Sequence, residues 1–159
     1  MSNRTILIFF LAILSFALAS CQQEPERTKS KNQENIPSSA KGITIKLEKE
    51  QYLTEDTEAV LTLHNDSETT FLYGREYLLG KNIDGTWYEI EFNERIGFTA
   101  IGYNLVPGQN IFETISLDIF NEELSAGHYR LIKEFSEAEK EYSPENKIII
   151  AASFKLVEP

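Results

Sequence analysis

The chain holds a single cysteine, Cys21, in 159 residues. A structural disulfide needs two, so the folded part must hold by packing alone. Histidine is nearly as scarce. His64 and His128 stand far apart, with no His-x-x-x-His spacing and no companion cysteine. A zinc site needs three or four ligands in a compact set, so neither a metal site nor a cofactor is expected. Positive charge is also short, with 15 Lys and Arg against 25 Asp and Glu. That balance disfavours nucleic acid, whose phosphates demand a basic face, and flat adsorption on anionic lipid. No Gly-x-Ser-x-Gly elbow and no Gly-x-x-x-x-Gly-Lys-Ser/Thr loop occurs. The usual settings of an activated serine or a cradled phosphate are therefore missing. Past the first twenty residues there is no internal repeat and no long amphipathic helical pattern.

What is present begins at the N-terminus. Arg4 precedes an apolar run from Ile6 to Ala19, and no acid comes before it. A charged start, an apolar stretch of roughly 7–15 residues and a small-residue end describe a secretory signal. The run falls short of the about 20 apolar residues that a membrane-spanning helix needs. Its end, Leu18-Ala19-Ser20-Cys21, resembles the lipobox of bacterial lipoproteins. The resemblance implies a diacylglyceryl group on the Cys21 thiol and cleavage between Ser20 and Cys21. Two acyl chains hold a protein stably where one holds it weakly, so the implied partner is a lipid bilayer. In Gram-negative lipoproteins an Asp after the cysteine favours inner-membrane retention, so Gln22 would permit the outer membrane. Removal of residues 1–20 takes away Arg4 and no acid, leaving 14 basic and 25 acidic residues and a net charge of −11.

Residues 21–41 follow as an expected tether. Ile36 is the one large aliphatic side chain between Gln22 and Lys41, too little to offset the entropy of ordering. A flexible stretch of that length spans roughly 25 Å. Residues 42–159 then have the size of one domain.

Within that domain the apolar residues recur with period two, the mark of half-buried strands. Ile43, Ile45 and Leu47 alternate with polar neighbours, and so do Ala59, Leu61 and Leu63. Leu78 to Ile83 and Thr86 to Phe92 flank Asp84-Gly85, a strong two-residue hairpin signal. Further strands are expected over 100–105, 109–117, 129–135 and 148–156. The run 118–124 suggests a brief helical turn, and the acidic stretch 136–146 an exposed loop. Seven to nine short strands divided by turns predict an all-β protein, an antiparallel sandwich of two sheets.

Two stretches carry a closer likeness. Leu124-Ser125-Ala126-Gly127-His128-Tyr129-Arg130-Leu131 resembles the tyrosine corner of immunoglobulin-like sandwiches, in which a Tyr hydroxyl bonds to backbone a few residues upstream. The resemblance implies structural roles for Tyr129 and Gly127. The order Leu61 to Asn65, Tyr73-Gly74, Asp84 to Trp87, Leu105 to Gly108 and Gly127 to Arg130 is similar to a bacterial immunoglobulin-like domain family found in small exported proteins and lipoproteins. That family implies no catalytic set.

Other chemistry is thin. Asn82-Ile83-Asp84-Gly85 lacks the alternating ligands and terminal Glu of a calcium loop. Glu134, Glu137, Glu139 and Glu141 read as a solvated run. Phe71, Tyr73, Tyr77, Trp87, Tyr88, Phe92, Phe98 and Tyr103 suit either cross-strand packing or a binding groove. The expectation is a non-catalytic binding or structural module of the cell envelope, lipid-anchored on the extracytoplasmic side. Its partner would be another envelope protein or a wall component. The alternative is an exported protease inhibitor or sensor accessory acting through the 136–146 loop.

Overall fold

The computed structural model describes residues 28–30, 35–141 and 143–159. Ser20, Cys21 and the apolar leader lie outside the described residues. Strands form along the period-two runs and in shorter pieces beside them: β1 (Ser39–Ala40), β2 (Ile43–Leu47), β3 (Gln51–Leu53), β4 (Glu58–Asn65), β5 (Phe71–Tyr73), β6 (Leu78–Ile83), β7 (Thr86–Ile90), β8 (Tyr103–Leu105), β9 (Asn110–Ser116), β10 (Gly127–Glu137) and β11 (Ile148–Val157). Ile43, Ile45 and Leu47 of β2 and Ala59, Leu61 and Leu63 of β4 are buried, while their neighbours are wetter. Tyr129, Leu131 and Phe135 of β10, with Ile150, Ala152, Phe154 and Leu156 of β11, close the core from the other side. Each large apolar chain so buried contributes about 1.5–3 kcal/mol.

The two layers are a four-stranded sheet, β1-β2-β4-β9, and a seven-stranded one containing β3-β11-β10. Beyond β10 the next place in the second sheet is shared. β6 pairs with residues 128–132 and β5 with residues 135–137. β7 then extends β6, and β8 extends β5. Pairing is antiparallel except between β3 and β11, which run parallel.

Two hairpins turn on left-handed residue pairs. Lys41 and Gly42 have φ of 50° and 83°, and Asp84 and Gly85 have φ of 50° and 84°. Consecutive positive φ values define the tight turn that matches strand twist. Gly42 also has no room for a side chain, since a Cβ there would stand 2.7 Å from Ser67 Cβ.

Several features differ from the sequence expectation. Among the described residues there are eleven strands rather than seven to nine, because β1, β3 and β5 span two or three residues each, too short for alternation to register. The sandwich also starts before residue 42. Ser39 and Ala40 pair with β2, and Ala151 N–H donates to Pro37 O at 2.9 Å. Thr28 and Ser30 bond to β7 through main-chain groups. Small polar residues can add to a sheet edge by backbone bonds alone, a contribution that counting apolar side chains does not register. The run 118–124 is not helical. Phe92 bridges Phe120, and the chain bonds across at Asn93 N to Ile119 O and Asn121 N to Glu91 O. The loop expected over 136–146 is shorter, because β10 continues to Glu137 and Pro144–Asn146 forms a 3-10 turn.

Candidate functional site

The parting of β5 from β6 concentrates polar groups in the sandwich. Four residues, 74–77, stand there opposite two of β10, Lys133 and Glu134. By strand parity Lys133 points inward with Leu131 and Phe135, and its side chain is fully buried. Glu113 points inward from β9 in the other sheet. Lys133 Nζ donates to Glu113 Oε2 at 2.7 Å and to Gly74 O at 2.9 Å. It also lies 5.4 Å from the centre of the Tyr73 ring. Tyr73 in turn packs on Tyr103 and Phe135, and Arg75 Nε donates to Tyr103 Oη at 3.2 Å.

Burial pushes the Lys133 amine below the usual lysine range, and the Glu113 carboxylate pulls the other way. Burial, and secondarily Glu113, raises the Tyr73 hydroxyl. The arrangement is a neutralised strut between sheets. Two of the three ammonium hydrogens are committed, to a carboxylate and to a carbonyl.

On the outer face of the same split lies a pocket of about 440 Å³, with Leu72, Leu78, Ile132, Gly102 and Ser136 among its walls. Lys147 Nζ and Glu134 Oε2, 2.6 Å apart, form an ion pair at this pocket. A second hollow, of about 790 Å³, opens where residues 54–57 meet 117–125 and carries Glu55, Asp56, Asp118, Glu122, Glu123 and Glu158. Among the described residues no three His, Cys, Asp or Glu side chains gather closely enough to share a metal ion.

The residues singled out in the sequence fall at separate places. Tyr129 is buried at the start of β10, and its hydroxyl donates to Ser125 O at 2.7 Å. Its ring stacks on Phe154 at 5.6 Å. A Cβ on Gly127 would approach Lys81 Cε to 3.1 Å, so glycine leaves room for the lysine that lies over the Tyr129 ring. His64 sits opposite Thr44 and Asn110 in one sheet, His128 opposite Asn82 and Lys155 in the other. Asn82 Oδ1 accepts from Gly85 N–H at 3.0 Å, which occupies it in the hairpin turn. In the acidic run Glu137 pairs with Lys140 and Lys41, which hold its carboxyl below the usual range, while Glu134, Glu139 and Glu141 are exposed. The aromatics mostly meet one another, with Tyr77, Phe92, Phe98 and Phe120 in one cluster and Tyr73, Tyr103 and Phe135 in another. Trp87 is half-buried, with the Arg130 guanidinium 4.2 Å from its ring centre.

Two structural centres escaped the sequence reading. The Lys133–Glu113 pair was visible only as charges at inward parity. Asn65 is fully buried, and its side chain makes four bonds. Its Nδ2 donates to Thr69 O and Leu105 O, and its Oδ1 accepts from Ser67 N–H and Ser67 Oγ–H.

A family model described as a bacterial Ig-like domain matches residues 39–148. No curated protein matches the chain. Among solved structures, the chain is similar to the ASH / PapD-like domain of human CEP192 (PapD-like domain 7). Identity is 17% and the TM-score 0.37, over 82% of this chain and 94% of that one.

Proposed function

The chain belongs to the bacterial Ig-like domain family, and on that footing we propose that it is a lipid-anchored, non-catalytic binding module of the bacterial envelope. The Leu18-Ala19-Ser20-Cys21 run, set behind an apolar leader and ahead of the sandwich, carries the reading. Cys21 would bear a diacylglyceryl group, and the sandwich would stand on the extracytoplasmic side. The sandwich's buried polar groups support a non-catalytic role, because Asn65 and Lys133 are engaged in joining loops and sheets. The pocket beside Leu72 and Ile132 supplies an apolar surface of the kind that binding sites use.

Growing cells with an alkyne fatty acid tests the anchor. The wild-type chain should take up the tag and stay with the membrane fraction. Cys21→Ala should do neither. An untagged wild-type chain would defeat the proposal.

A further inference from the structure

Strand β9 ends the four-stranded sheet, and its hydrogen-bonding phase can be read. Leu117 N–H donates to Thr57 O at 2.7 Å, and Asn65 N–H donates to Gln109 O at 3.1 Å. Both pairs belong to the single register that joins β9 to β4. In an antiparallel ladder the bonded pairs recur at every second residue. The odd-numbered residues of β9 therefore bond to β4. Asn110, Phe112, Thr114 and Ser116 turn their main-chain groups toward the edge, which no described strand covers. Ser116 O is taken by the Tyr77 hydroxyl at 3.0 Å. The other three residues are exposed, and Phe112 has 71% of its surface in water, the most of any large apolar residue described.

Natural edge strands carry guards: a lysine, a proline, a bulge or an inward charge. The even-numbered residues of β9 include no charge and no proline, and the register shows no bulge. Its one inward charge, Glu113, is neutralised inside its own fold by Lys133. The edge is also complementary to itself. A two-fold axis through Phe112 sets Phe112 against Phe112, and Asn110 against Thr114 of the other copy. In a chain with a net charge of −10, this seam lets two copies meet without opposing carboxylates at the paired edge positions.

We propose that two copies of the chain join through β9, antiparallel, in a two-fold interface centred on Phe112. The four-stranded sheets then continue into one eight-stranded sheet across the seam. Such an interface is isologous and closes at the dimer.

The register makes the test specific. Asn110→Cys and Thr114→Cys are placed in separate full-length copies with distinguishable tags, and intact cells are treated with a mild oxidant. In the proposed dimer these positions form a bonded pair with Cα atoms about 5.5 Å apart, within disulfide reach. Within either variant alone the two like cysteines stand roughly 14 Å apart, from four residues of offset at about 3.4 Å each. A mixed disulfide dimer should form on co-expression, and neither variant alone should cross-link. Equal cross-linking by the single variants would overturn the proposal. So would its absence while both variants accumulate normally. A photoreactive benzoylphenylalanine at position 112 gives an independent reading. A product of twice the chain's mass is expected, and an adduct of any other mass would assign the edge to a different partner and sink the self-pairing.

Discussion

Replacing Glu113 with Gln should leave the Lys133 ammonium buried without its counter-charge. Breaking a buried pair by removing one partner costs about 3–5 kcal/mol, because the remaining charge has lost its compensation. Here the Glu113 side chain is 11% exposed, and Gly74 O and the Tyr73 ring still face the amine. The lower end, about 3 kcal/mol, is therefore expected. With a urea slope of about 1–3 kcal/mol per molar, the midpoint should fall by roughly 1–3 M. The loss should also depend on pH. Burial lowers the folded-state pKa of Lys133 below its unfolded value, and Glu113 opposes that shift. Without Glu113 the folded pKa drops further. Between the folded and unfolded values the unfolded chain binds the extra proton, so stability rises with pH. Glu113→Gln should thus recover part of its loss as pH climbs from 7 toward about 9.5, more than the wild type gains. Above that, tyrosines whose pKa is raised on folding, Tyr73 among them, pull stability down and blur the reading. Pairing Lys133→Met with Glu113→Leu should restore most of the midpoint, since well-packed apolar replacements of a buried pair are often neutral. A Glu113→Gln midpoint equal to wild type at pH 7 would refute the idea that the strut is charged and dry.

Three further outcomes follow from the same geometry. Asn65→Ala should cost about 2–4 kcal/mol in urea unfolding, because Thr69 O and Leu105 O lose their donor in a buried site; a change under about 0.5 kcal/mol, the range of ordinary surface substitutions, would contradict that. Tyr129→Phe removes the bond to Ser125 O and should cost about 1–2 kcal/mol, with an unchanged midpoint counting against it. Gly42→Ala should destabilise by more than about 1 kcal/mol, since it meets both a φ of 83° and a 2.7 Å approach to Ser67; thermal melting checks it, and a Tm at the wild-type value would refute the steric argument.

The strands with clean alternation could be read from the sequence. Ile43, Ile45 and Leu47 each mark an inward position, and Asp84-Gly85 marks its own turn. Short pieces such as Phe71–Tyr73 carry too few residues to show a period. Lys133 was hidden for another reason. A lysine between Leu131 and Phe135 looks like an interruption of the pattern until Glu113, between Ile111 and Ile115, shows the same interruption across the core. The parity of both was available in the sequence, but their pairing depends on how the two sheets stack. Asn65 closes an apolar run and so reads as a turn residue. Its four bonds arise because Ser67, Thr69 and Leu105 converge only after folding. The parting of β5 and β6, and the pocket it opens, depend on which strands share β10, and no local pattern records that.

We propose that lipid on Cys21 holds an immunoglobulin-like sandwich to a membrane. Intact-mass analysis of the chain extracted from cells addresses it most directly. The expected species begins at Cys21 and carries the added mass of a diacylglyceryl group. A chain that still begins at Met1, with an unmodified thiol at position 21, would contradict it.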